Sequence, residues 1–274
     1  IVSIGSYAFE YSNLKTIQIP SGVQRIEQGV FANCDNLETI TVSDKNEVYD
    51  SRNDCNAIIE TATNTLVLGS KNTTIPDTVI KIGEAAFEGS GVVSIVIPSQ
   101  IQNIGEGAFG DNDMLKTIEV DVDNPYYDSR EDCNAIIETA SNKLISGCQN
   151  SHIPDGITTI GKYAFYWTDN LFNITIPDTV VKIEDGAFWR AGLKSLVLPE
   201  SVTDIGDNAF FACHIEKVEI PKNVTQIGFS PFACCNDLKE IVVAIDNEKY
   251  DSRDNCNAVI ETKTNILVAG CMNT

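Results

Sequence analysis

The residues of this chain that could support chemistry are two histidines, nine cysteines and two acidic stretches. A hydrolase or transferase needs a nucleophile, a base and an orienting group drawn to one cleft. His152 and His214 are the only imidazole bases, and neither lies in a recognisable motif. His214 follows Cys213 in a turn and His152 stands just before Ile153-Pro154, so both read as structural or solvated side chains.

Cys34, Cys213 and Cys235 each sit three residues after a phenylalanine of a repeating unit, and spacing by whole repeats does not suit a zinc cluster. Cys55, Cys133 and Cys256 share a second position, and Cys148 and Cys271 a third, where the remaining copy has Ser70. Buried thiols are the leading reading, with hairpin disulfides such as Cys133 to Cys148 the alternative. The stretches Asp121-Val-Asp-Asn-Pro-Tyr-Tyr-Asp128 and Ala244-Ile-Asp-Asn-Glu-Lys-Tyr-Asp251 carry oxygen donors suited to calcium, but their spacing fits no EF-hand loop. Ion pairs from Arg52, Arg130 or Arg253 to nearby carboxylates are the expected use of this charge. No catalytic, cofactor-binding or metal-binding residue is assigned, no cofactor is expected, and the chain is not expected to be an enzyme.

The elements that hold these residues repeat. Phe9, Phe31, Phe87, Phe109, Phe165, Phe188, Phe210 and Phe232 lie in nearly one setting, 22 or 23 residues apart except for two gaps of 56. Each unit reads Ile-Pro, two variable residues, Val, then Ile, a small or acidic turn, Ala-Phe and an L-x-x-L-x-L segment. Leu14, Ile17 and Ile19, Leu37, Ile40 and Val42, and Leu171, Ile174 and Ile176 are examples of that segment. Its second half alternates, which directs Ile17 and Ile19 inward and Thr16 and Gln18 outward on a strand. One unit cannot bury its apolar edge alone, so the pattern predicts a mainly β leucine-rich-repeat solenoid: a curved right-handed stack with a parallel sheet on one face.

A second repeated element explains the long gaps. Asp50-Ser-Arg52 to Leu66 recurs from Asp128 to Leu144 and from Asp251 to Leu267. Asn56 to Thr61 and Leu66 to Leu68, separated by a polar turn, read as a β-hairpin. Hairpin inserts are placed at about 44–74, 122–152 and 245–274. With no Pro/Gly/Ser-rich linker between blocks, 1–274 is expected to be a single solenoid domain. Ile1 and Thr274 both fall inside a unit, so the reading expects a fragment of a longer repeat protein.

Charge narrows the partners. The formal net charge is -20, from 39 acidic and 19 basic residues, and binding nucleic acid or an anionic membrane surface requires clustered Lys and Arg. Neither partner is expected, and no apolar run reaches the roughly 18 residues of a spanning helix, so no direct membrane insertion by this segment is expected.

The motif Ile-Pro-x-x-Val-x-x-Ile-Gly-x-x-Ala-Phe, close to the run from Ile97-Pro98 to Ala108-Phe109, resembles the BspA-like, or Treponema-type, leucine-rich repeats. Val30 for Ala, Ser43 for Pro and Pro231 for Ala are local departures. The resemblance covers nearly the whole chain and implies a bacterial cell-surface or secreted protein. It further implies a non-catalytic adhesion module binding a protein ligand such as a host extracellular-matrix or surface protein. A structural spacer and a carbohydrate-binding module are the alternatives. Because the motif consists of core residues, it carries no binding specificity.

Candidate binding residues therefore come from outward positions. The strand rows run Thr16, Thr39, Ser94, Thr117, Asn173, Ser195, Lys217, Glu240 and Gln18, Thr41, Val96, Glu119, Thr175, Val197, Glu219, Val242. From these Thr117, Glu119, Asn173, Thr175, Lys217 and Glu219 are singled out as a partner face. Tyr166, Trp167, Trp189 and Phe211 follow the repeat Phe in three adjacent units and are expected to align as an aromatic patch. Turn-on-turn packing is the competing account.

Overall fold

The computed structural model describes residues 1–274, which fall into two compact units, Ile1–Ser129 and Arg130–Thr274. Each is a β-solenoid without α-helix, and no helix is long and apolar enough to cross a membrane.

In unit 1 the leucine-rich segments form parallel strand pairs, Thr16–Ile19 with Thr39–Val42 and Ser94–Ile97 with Thr117–Val120. Period-2 alternation is visible in their burial: Ile95 and Ile97 are buried between exposed Ser94 and Val96. Unit 2 has one such pair, Lys217–Ile220 with Glu240–Val243. The expected strands at Leu171–Ile176 and Leu193–Leu198 keep the alternation but not the ladder. There one backbone bond, Lys194 N–H to the Phe172 carbonyl at 3.0 Å, links the coils. Beyond it the Ser195 hydroxyl donates to Asn173 Oδ1 at 2.9 Å, a side-chain bond where paired strands use the backbone.

A second ladder runs from the second strand of the middle hairpin into four segments where the repeat pattern placed no strand. Lys143–Gly147, Thr159–Ile160, Lys182–Ile183, Asp204–Ile205 and Gln226–Ile227 pair in parallel, one strand per coil. Two residues per coil are too few to show a period, yet this ladder is continuous through four repeats and sets their spacing. The inserts join it. Ala57–Glu60 and Thr65–Gly69 form the expected antiparallel hairpin, and Thr65 and Leu66 then pair in parallel with Lys81 and Ile82. A hairpin is therefore a coil of the solenoid with its own turn. Gly69 and Gly147 end the second strands because a Cβ there would lie 2.2 Å from the ring of Phe87 or Phe165.

The repeat phenylalanines form the core column. Phe165, Phe188 and Phe210 are fully buried, and centroids are 5.1 Å apart for Phe165–Phe188 and 5.3 Å for Phe188–Phe210, with ring planes within 4°. In unit 1, Phe9–Phe31 and Phe87–Phe109 stack at 5.1 Å. Burial of each such ring contributes roughly 1.5–3 kcal/mol.

Candidate binding surface

The cysteines and acidic stretches resolve into structural parts. Position three after each Phe faces carbonyls of its own and the preceding coil. Sγ of Cys34, Cys213 and Cys235 lies 3.0, 3.0 and 3.1 Å from the carbonyls of Phe9, Phe188 and Phe210. Asn112 fills the same position, its amide donating to the carbonyls of Phe87, Phe109 and Gly110. Burial raises the thiol of Cys213 well above its ordinary value and that of Cys235 to about 12, which keeps both protonated and inert. All nine cysteines stand as thiols, and Cys148 donates to the Asn134 carbonyl as Ser70 does to Asn56.

Each insert opens with Asn-x-x-Tyr-Asp-Ser-Arg, and the first and third copies show the use of that charge. Arg52 holds Asp50 through Nε–Oδ1 at 2.7 Å and Nη2–Oδ2 at 2.5 Å, and Arg253 holds Asp251 likewise at 2.7 and 2.6 Å. The Arg253 guanidinium brings the Asp251 carboxyl down to about 2. Three neighbours of this pair were not anticipated from sequence. The Asn46 amide donates to the carbonyls of Pro20 and Val23, and Ser51 Oγ accepts from Val42 N–H. Tyr49 Oη accepts from Ile26 N–H at 3.1 Å, at the edge of the short ladder. Tyr127 and Tyr250 do the same for Ile104 and Ile227. Recurrence in three copies was the available signal, and the polar ring covers a sheet edge that is otherwise open.

His152 is exposed, and His214 is exposed with Nδ1 2.9 Å from Asp237 Oδ2. No three His, Cys, Asp or Glu converge in a metal-binding group.

The position immediately after each Phe forms a stripe along one edge of the coils. In unit 1 it holds Glu10, Ala32, Glu88 and Gly110, and in unit 2 Tyr166, Trp189, Phe211 and Ala233. The structure does align the four aromatics. Tyr166 meets Trp167 edge-on at 5.8 Å and Trp189 at 6.3 Å, and Trp189 meets Phe211 at 4.6 Å. All four are half-buried, so the ridge packs turn on turn and still presents ring surface to solvent. Trp167 and Arg190 occupy a left-handed backbone position, φ 52° and 54°, that holds Tyr11, Asn33, Gly89 and Asp111 in unit 1. A large side chain there costs roughly 1–2 kcal/mol. The Arg190 guanidinium lies over the Trp167 ring at 4.0 Å.

The outward strand rows are exposed or half-exposed throughout. In unit 1 Thr117 and Glu119 share one strand. In unit 2 Asn173 and Thr175 line a hollow of about 510 Å3, and Lys217 and Glu219 one of about 540 Å3. Ser195 and Val197 border both hollows, where the coils lack a backbone ladder. Lys217 is tied to Glu240 at 2.7 Å.

Glu88 shows what the stripe does when it is acidic. Burial first, then the charges of Asp111, Glu10 and Glu84, push its carboxyl up to about 7. The folded state therefore holds a proton that the unfolded state loses near the ordinary carboxylate value of about 4.3. Stability from this group is fully present below the unfolded value and falls away as pH rises through 7. Glu88→Gln is expected to raise the thermal midpoint of unit 1 at pH 7.5 and to flatten its fall from pH 5. Parallel melting curves for the two proteins across that range would refute this.

Coils of one period, a phenylalanine column and paired leucine-rich strands define a leucine-rich-repeat solenoid protein. The BspA type leucine rich repeat region model matches residues 2–52, 58–146 and 137–258 in six copies, so the chain belongs to that family. No curated protein matches the sequence. Among solved structures, the chain is similar to a leucine rich cell surface protein from Faecalibacterium prausnitzii A2-165. The TM-score is 0.57 and the identity 24%, over 88% of this chain and 76% of that one. It is also similar to the pneumococcal vaccine antigen PcpA, with TM-score 0.60 and 18% identity over 90% and 68%. A leucine-rich repeat protein from Eubacterium ventriosum ATCC 27560 follows, with TM-score 0.53 and 25% identity over 88% and 57%.

Proposed function

We propose that this chain is a non-catalytic protein-binding or adhesion module of a bacterial cell surface, engaging host or neighbouring-cell proteins through its solenoid surface. The observation that carries the reading is the aromatic ridge. At a position that elsewhere holds Ala, Gly or Glu, three successive coils place Tyr166, Trp189 and Phe211, and Trp167 joins them. Part-exposed Trp and Tyr are the side chains that most often anchor protein interfaces. The outward strand rows supply the polar rim such an anchor needs. The surface address is supported by family membership and by the cell-surface description of the Faecalibacterium protein.

The test is binding of the purified chain to extracellular-matrix, plasma and epithelial proteins, with a salt titration and an unrelated acidic solenoid as control. A selective, saturable partner is expected. Replacing Trp167 and Trp189 together by Ala is expected to weaken it by roughly tenfold or more. Unchanged affinity in that variant with the fold intact would remove the ridge, and absence of any saturable partner would sink the reading.

A further inference from the structure

We propose that the groove beside the aromatic ridge of unit 2 binds a carboxylated sugar residue of a glycan. This is a second ligand class; it shares Phe211 with the protein-binding ridge but rests chiefly on Arg190 and Lys194. The groove has a volume of about 950 Å3 and is walled by Phe172 and Phe211, with Arg190, Lys194, His214 and Asn236 around it. That size accommodates one or two sugar rings.

Arg190 is the first argument. Arg25, Arg52 and Arg253 each grip a carboxylate at 2.5–2.6 Å, whereas Arg190 makes no side-chain hydrogen bond or ion pair. Stacking over Trp167 at 4.0 Å restrains its guanidinium and leaves the edge N–H groups available. A guanidinium held in this way is matched to a carboxylate, which it grips through two parallel bonds. Lys194 adds a second cation, its Nζ 4.7 Å above the Phe172 ring and on no carboxylate. In a chain with 39 acidic and 19 basic residues, two adjacent cations without an acid partner mark an anion position.

The second argument separates a sugar from a peptide. Several backbone donors beside the groove are consumed: Arg190 N–H by the Phe211 carbonyl, Gly192 by Thr168, Lys194 by Phe172 and Ala212 by Ala233. No β-strand lines the groove for an extended peptide to pair with. What remains is side-chain chemistry. Phe172, 46% exposed, and Phe211 offer ring faces to the C–H faces of a pyranose. The Asn236 amide, which makes no bond of its own, and the His214–Asp237 pair at 2.9 Å offer partners for hydroxyls. Asp169 and Asp237 also face the groove and repel a densely charged polymer, so the site favours a single carboxyl.

The chain has two tryptophans, Trp167 and Trp189, one under Arg190 and the other against Phe211, so selectively excited tryptophan emission reports from this region alone. The whole chain would be titrated with 3′-sialyllactose, digalacturonate, lactose and a short acidic peptide. A saturable emission change with at least one carboxylated sugar is expected, with lactose at least tenfold weaker, and the sugar that binds tells sialate from uronate. Arg190→Gln should bring that sugar to the level of lactose, and Arg190→Lys should recover only part of the difference. Lys194→Gln, at an exposed position that folding does not require, should weaken the carboxylated sugar several-fold and leave lactose unchanged. Silence with both carboxylated sugars up to about 10 mM, equal response to lactose, or tighter response to the acidic peptide overturns the proposal. None of these results bears on a partner lost through the Trp167 and Trp189 double substitution.

Discussion

Phe188→Ala is expected to destabilise unit 2 by about 3–5 kcal/mol, the largest effect of any single side chain there. Phe188 is fully buried between Phe165 at 5.1 Å and Phe210 at 5.3 Å, so its removal leaves a ring-sized void open to both neighbours. The coil cannot collapse to fill it, because the short ladder holds Lys182–Ile183 in register with Thr159–Ile160 and Asp204–Ile205. Burial and cavity terms therefore add. Solenoid energetics sharpen the expectation: stability is a sum of coil and interface terms, and an inner Phe belongs to two interfaces. Phe172→Ala, at a ring 46% exposed, should cost less than about 1 kcal/mol and serves as the control. Denaturant melts of the two variants, compared by midpoint, check the contrast. Equal midpoints would mean that the phenylalanine column is not what holds the coils together.

That column was legible because its signal is long. Eight phenylalanines in one setting fix the period, and the alternation at Ser94–Ile97 shows which side faces in. What stayed hidden was short or depended on several residues at once. A two-residue strand such as Lys182–Ile183 has no period, and only stacking with its neighbours makes it a ladder. Tyr49, Tyr127 and Tyr250 were visible as a repeat, but the sequence does not say that their hydroxyls accept the N–H groups of Ile26, Ile104 and Ile227. At the surface, the aromatic stripe could be read by counting one residue past each Phe. Arg190 could not, because its lack of a carboxylate partner is a property of the assembled surface. Recognition chemistry rides on positions the repeat leaves variable, so the regularity that reveals the fold conceals the site.

The second large effect concerns a polar side chain. Asn112→Ala is expected to cost about 2–4 kcal/mol in unit 1, because a buried amide is removed and its partners are left unmet. Asn112 is 7% exposed; Nδ2 faces the carbonyls of Phe87, Phe109 and Gly110 at 2.5, 3.0 and 3.0 Å. Oδ1 accepts from the Ser90 hydroxyl and Gly91 N–H, both at 3.2 Å. Alanine fills neither role, although Ala191 stands at this position in another coil and shows that the backbone tolerates it. The fold itself suggests the rescue. Cys34, Cys213 and Cys235 occupy the same place with Sγ 3.0–3.1 Å from one inner carbonyl. Asn112→Cys should therefore regain part of the loss by satisfying the Phe87 carbonyl, but not the bonds from Ser90 and Gly91. The expected order of stability is Asn112, then Cys, then Ala, read from urea midpoints under reducing conditions. If Cys and Ala are equal, the thiols at this position act as small apolar fillers and their contacts with the carbonyls carry no stabilisation.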